Sequence, residues 1–139
     1  MARERLESKL AEIRAARDEV VELLQNRQDD IHSIEFPENY WKTMAHLMWR
    51  YGDHMREHTN QIANTRRGTG LVHTEVQRKL ADAERSWGEL LGELVGLDDA
   101  DLDKTTGDRD WSVSETLDHI LSAEIHYLKA AKAGLEGRD

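Results

Sequence analysis

Apolar residues recur along this chain at helical rather than alternating spacing, in four separate stretches. In the first, Leu6, Leu10, Ile13, Val20 and Leu24 fall on one side, with glutamates and arginines opposite. Positions three and four apart share a face of an α-helix, so this spacing predicts an amphipathic helix over about 3–26. The polar run Gln25-Asn26-Arg27-Gln28-Asp29-Asp30 ends it. In the second stretch Met44, Met48, Tyr51, Met55, His58 and Ile62 step by 4, 3, 4, 3 and 4. Pro37 suits a first helical turn, where a missing N–H costs nothing, and Arg66-Arg67-Gly68-Thr69-Gly70 suits an end. A second helix is therefore expected over 37–66. The third stripe, Val72, Val76, Leu80, Ala83, Trp87, Leu90 and Leu94, is the cleanest and predicts a helix over 71–96. The fourth opens with Ser112 three residues before Glu115, the spacing of a capping box. Val113, Leu117, Ile120, Glu124 and then Leu128 or Tyr127 form its inner face, and Gly134 and Gly137 end a helix over 112–134. Before it, Asp98-Asp99-Ala100-Asp101-Leu102 reads as a short capped turn. Four helices with modest connections predict an all-α protein, an up-and-down four-helix bundle forming a single domain over 1–139.

Composition agrees with helices. Hydrophobic residues are 38% and charged residues 34%, with one proline and one phenylalanine, a mixture poor in strand formers. The net charge of −9 argues against nucleic acid as a partner, because phosphate binding needs a basic face. The charge is uneven. Residues 1–69 carry 11 basic and 12 acidic side chains, whereas residues 70–139 carry 8 and 16, part of the excess lying between Asp98 and Asp110. The balanced first half still leaves room for a small anionic substrate held by arginines. There is no cysteine, which removes disulfides, thiolate ligands and a cysteine nucleophile together; any metal must be held by His, Asp or Glu. The charged start Arg3-Glu4-Arg5 and the lack of a long apolar run speak against a signal or membrane span, and make the cytoplasm the expected location.

The stretch Gly52-Asp53-His54-Met55-Arg56-Glu57-His58-Thr59-Asn60-Gln61-Ile62 carries the candidate chemistry. His54 and His58, four apart, can aim their imidazoles at one point and make half of a divalent metal site. At 100° per residue, His58 lies about 40° and His54 about 80° from the centre of the apolar stripe, at the edge of the buried face. Gly52 costs a helix interior about 1 kcal/mol against alanine, so it marks a bend or a close approach. With seven histidines in the chain such a pair also arises by chance, and the functional reading needs a third ligand. His32, His46, His73, His119 and His126 are the candidates, and spacing alone does not choose among them. The run His54-x-x-Glu57-His58 also fits the inverted zinc-peptidase motif, with Glu57 as general base and Glu124 as a downstream ligand. A small helical chain without a substrate-binding sheet fits that reading poorly. Di-iron chemistry fits worse still, since no histidine has a glutamate three residues before it. Met44, Met48 and Met55 read as ordinary core, Arg50, Arg56, Arg66 and Arg67 as a solvated face, and Trp111 as a packing anchor beside an N-cap.

The run Trp111-Ser112-Val113-Ser114-Glu115-Thr116-Leu117-Asp118-His119-Ile120, with Glu124 and Tyr127 beyond it, resembles the signature of the DinB-like superfamily of metal-binding four-helix bundles. In that family a metal-ligating histidine follows the tryptophan by eight residues, and two more come from a His-x-x-x-His pair often followed by Gln-Ile. Leu90–Leu102 is similar to the family's first helix and the acidic turn after it. The resemblance implies a triad of His54, His58 and His119 holding a divalent transition metal, zinc or nickel. It also implies a small-molecule substrate, a low-molecular-weight thiol as cosubstrate, and S-transferase, isomerase or hydrolase chemistry. The helix order departs from the family's: the histidine pair comes first and the Trp-Ser-Val helix last, a circular permutation. A homodimer that exchanges helical pairs is one way to build such a site. His119 lies about 140° from the mean direction of its own apolar stripe, so its approach to a site requires a second packed side made by Thr116, Ala123 and Tyr127. The alternative from another class is a non-enzymatic bundle that dimerises or binds a partner.

Overall fold

In a computed structural model that describes residues 2–107 and 109–138, a helix forms in each of the four stretches the apolar spacing marks. They are α1 (Glu4–Leu24), α2 (Met44–Gly68), α3 (Glu75–Leu94) and α4 (Val113–Leu135), with a 3-10 turn at Asp99–Asp101. The protein is all-α: among the described residues there is no strand, only an isolated antiparallel bridge between Glu35 and Thr43. Of the acidic connection, Asp108 lies outside the described residues. The chain divides into two units, Met1–Glu93 and Leu94–Asp139. No helix among the described residues is long and apolar enough to cross a membrane.

In the first unit, α1 has no side-chain N-cap, but Glu4 and Glu7 lie in its first turn, where negative charge meets the positive end of the helix dipole. Its partner α2 begins at Met44 and not at Pro37. The intervening residues are held in a closed loop. Phe36 N–H donates to the Lys42 carbonyl (2.7 Å), Lys42 Nζ to the Pro37 carbonyl (2.9 Å), and the Phe36 and Trp41 rings meet edge to face at 5.3 Å. The loop also satisfies the first free donors of α2. Met44 N–H reaches the Ile34 carbonyl, Ala45 N–H the Ile31 carbonyl, and His46 N–H the hydroxyl of Thr43, an extended N-cap residue. A helix starts where its orphan N–H groups find acceptors, and here that is Thr43.

At its far end α2 places Arg66 and Arg67 in the last turn, and Gly70 takes a positive φ of 74°, letting Leu71 N–H return to the Arg66 carbonyl at 2.8 Å. Leu71, Val72 and His73 then lie outside any helix, so α3 starts later than the stripe from Val72 implies. Thr74 caps it: its hydroxyl accepts from Gln77 N–H (3.2 Å), while its own N–H donates to Gln77 Oε1 (2.9 Å). Within this unit no two helices pack along their length, although Arg17 of α1 reaches across to Met55 and Tyr51 of α2.

The second unit is built on two consecutive capping boxes. Asp98 accepts from Ala100 N–H (2.9 Å) and its N–H donates to Asp101 (3.1 Å), closing the 3-10 turn. Ser112 accepts from Glu115 N–H (3.1 Å) while Glu115 Oε1 accepts from Ser112 N–H (3.2 Å), starting α4 where its sequence says. Ser114 N–H donates to the Leu102 carbonyl at 2.9 Å, which ties turn to helix.

Among the described residues no apolar side chain is buried; Ser112, at 4% exposure, is the one buried polar residue. The α3 stripe is open over its first three turns, with Val76 67%, Leu80 60% and Trp87 50% exposed, and half-buried at Leu90 and Leu94.

Replacing Ser112 with Ala removes one acceptor of a buried box. A loss of about 1 kcal/mol is expected from urea unfolding, with the m-value unchanged. An unmoved midpoint would mean that the box does not hold α4.

Candidate metal and ligand site

Because α2 is continuous through Gly52, His54 and His58 stack one turn apart on one side of it. Their Nε2 atoms are 3.0 Å apart and the rings stand at 80° to each other. On the far side of His58, Nδ1 lies 2.7 Å from Gln61 Oε1, an acceptor. Nδ1 therefore carries the proton, and Nε2 of His58 presents its lone pair towards His54. This is the arrangement in which a metal-ligating histidine is oriented by a hydrogen bond to its other nitrogen. Two nitrogens on one tetrahedral zinc at 2.0–2.1 Å lie roughly 3.3 Å apart, so the pair is within a few tenths of an ångström of two adjacent ligand positions. Binding an ion requires His54 to carry its own proton on Nδ1, freeing the second Nε2. The donor set fits a borderline metal.

The pair opens onto a groove of about 1060 Å³ between α1 and α2. Ile13 and Val20 line it from α1, and Leu47, Tyr51, Met55 and Ile62 from α2. Arg17 and Arg50 also line it, and no acidic side chain does. Arg50 is neutralised from outside, by Glu57 at 2.7 Å and Asp53 at 3.3 Å. Arg17 has no carboxylate partner among the described residues; its guanidinium lies 5.4 Å from the centre of the Tyr51 ring. The Tyr51 hydroxyl is buried beneath this layer without a hydrogen-bond partner among the described residues.

The Arg50 hydrogen bond, and secondarily its charge, holds the Glu57 carboxyl below its ordinary range, and the same bond raises the Arg50 guanidinium. A carboxylate stabilised as the anion and clamped by arginine is a weak proton acceptor, which counts against Glu57 as the base of a His-x-x-Glu-His peptidase.

The remaining histidines are spread over the chain. His46, at the start of α2, lies between the rings of Tyr40 (5.6 Å) and Trp49 (6.2 Å). His32 is in the first connection and His73 just before α3. In the second unit, His126 lies 6.3 Å from the Tyr127 ring, and His119 is exposed on α4 with its ring 4.9 Å from that of Trp111. Trp111 is thus both neighbour of the N-cap and support for that imidazole. Among the described residues no three of His, Asp and Glu are gathered closely enough to hold an ion. Two contacts of the site were missed in the sequence. Gln61 was visible as the residue one turn beyond His58, but Arg50 and Glu57, seven apart, gave no local signal.

Tyr51→Phe removes a buried hydroxyl that has no partner, so thermal unfolding is expected to rise or stay level; a fall equivalent to more than about 1 kcal/mol would show that the hydroxyl is paired. Arg50→Gln is expected to return the Glu57 carboxyl towards its ordinary range in a carboxyl-carbon NMR titration. The depressed pKa stabilises the fold above the unfolded carboxyl range and loses that contribution as pH falls through the folded value, so the variant's stability should depend less on pH in the acid range.

Compared with family models, with curated proteins and with solved structures, the chain gave no match.

Proposed function

We propose that this chain is a metal-dependent enzyme of the DinB-like kind. In this reading four helices, from one chain or exchanged between two copies, close as an up-and-down bundle in permuted order, and zinc or nickel is held by His54, His58 and His119. The observation that carries the reading is the His54–His58 contact: two Nε2 atoms 3.0 Å apart, one of them oriented by Gln61. His119 enters through the Trp-Ser-Val resemblance, and its support by Trp111 fits a histidine held in one orientation. A divalent ion held by these three histidines would supply Lewis acidity for activating a water or a thiol.

The chain's own residues divide the remaining work. Gln61 keeps His58 in the tautomer whose Nε2 lone pair faces the site. The groove's apolar wall keeps water from the two imidazoles. Arg50 holds Glu57 ionised beside the two imidazoles, which favours positive charge there. Thiol-dependent S-transfer or hydrolysis is the activity this combination suits. The second reading, a non-enzymatic dimerisation or binding protein, is favoured by one observation: no apolar side chain of the described residues is buried.

Metal analysis of protein purified without a histidine tag separates the two. The enzyme reading expects near-stoichiometric zinc or nickel, lost in His58→Ala and in His119→Ala. Gln61→Leu should weaken affinity about 10–100-fold without abolishing it. Protein that stays metal-free after incubation with either ion would remove the metal reading. If metal is present, low-molecular-weight thiols screened against electrophiles show whether the site is catalytic, and Glu57→Gln should weaken metal affinity while metal-saturated protein keeps its activity, because Glu57 contributes charge and not a base.

A further inference from the structure

We infer that the groove between α1 and α2 is occupied by α3 of a second copy of this chain. This goes beyond the metal reading and does not rest on it. The first unit carries two open apolar surfaces that no helix of that unit covers: the groove and the α3 stripe. Their spacings match. Tyr51, Met55, His58 and Ile62 of α2 line the groove in steps of 4, 3 and 4, and Val76, Leu80, Ala83, Trp87, Leu90 and Leu94 of α3 run in the same alternation of steps. This is the heptad seam of helices that pack knobs into holes at a shallow angle. A lone seam of this kind is a request for another helix rather than for a small molecule.

Charge points the same way. Of the two arginines that line the groove, Arg50 already pairs with Glu57 and Asp53, which leaves Arg17, while α3 carries five acidic and three basic residues. Arg17, without a carboxylate of its own among the described residues, is the free cation that an acidic helix would answer. The connection from α2 to α3 runs only from Thr69 to Thr74 and is pinned at both ends, by the Gly70 turn and by the Thr74–Gln77 box. A short, fixed connection that leaves two matching seams unpaired is what an exchanged dimer requires, with each copy lending α3 to the other's groove. Twofold symmetry then satisfies both surfaces of both copies. A 20-residue helix is about 30 Å long, and two such helix-in-groove contacts cover on the order of 2,000 Å² in all, the size of a stable homodimer interface.

Sedimentation equilibrium of the full chain is expected to return twice the 16.0 kDa chain mass at micromolar concentration, and a folded monomer overturns the inference. Because the chain has no cysteine, single thiols can be introduced cleanly. Chains with Thr59→Cys in the groove are refolded together with chains carrying Leu80→Cys, Ala83→Cys or Trp87→Cys on α3, then treated with a short bismaleimide. Covalent pairing of groove chain with α3 chain is expected for at least one of the three. A dimer that yields none of these links is joined by another face, and overturns α3 as the occupant. A doubly substituted chain that links only within itself shows α3 folding back on its own α2, which overturns the inference as well. Trp87→Glu should raise the dissociation constant roughly 30-fold, as a central aromatic anchor does; unchanged association overturns the inference, and if the variant fails to fold the crosslinks decide.

Discussion

An apolar stripe on a helix must be covered, and nearly everything in this protein turns on that. An isolated helix of 20 or so residues is marginal in water, and most helical stability in proteins comes from packing one face. Covering a leucine or tryptophan is worth about 1.5–3 kcal/mol, against a total folding stability of only about 5–15 kcal/mol. With Leu6, Val76, Leu80, Trp87, Leu121 and Ile125 all exposed, the stabilisation the helices need has to come from surfaces that the local structure leaves open. What the chain does supply locally is punctuation. Thr43, Thr74, Asp98 and Ser112 each satisfy helix-end donors, so α2, α3, the 3-10 turn and α4 each have a defined first residue even where they lack a packed face.

That division explains what could be read from the sequence. Stripes and caps are local, and they gave four helices, the Ser112 box and the capped turn at Asp98 in the right places. The start of α2 was placed at Pro37, and the actual start is decided at longer range. Pro37 is compatible with a first turn, but Ile31, Ile34 and the Phe36–Trp41 ring contact recruit the chain into a loop that ends at Thr43. The start of α3 was misplaced for a simpler reason: Val72 continues the stripe, and the stripe alone set the expected start, whereas Thr74 and Gln77 cap the helix two residues later. In the candidate site the i,i+4 histidine pair was legible because helical geometry alone brings it together. The Arg50–Glu57 pair, two turns apart, depends on the reach of the arginine side chain. The assignment of His119 came from resemblance; nothing in local spacing connects it to the pair.

The site's electrostatics favour binding over proton abstraction. The one carboxylate between the two histidines is turned aside to Arg50, and the groove they open onto presents cations on an apolar wall. Such a surface suits a molecule with an apolar body and a negative group, or a helix of the same character.

His54 and His58 line the same groove as Ile13, Met55 and Ile62, so they share its water. Whatever displaces that water also strips solvent from the two imidazoles and strengthens the effect of every nearby charge on an ion held there. Filling the groove and loading the imidazoles are therefore linked equilibria, and the linkage is reciprocal: an occupant that changes ion affinity by some factor has its own affinity changed by the same factor. A chain whose helices are defined one by one would in this way hold one thermodynamic variable in common between its assembly and its chemistry.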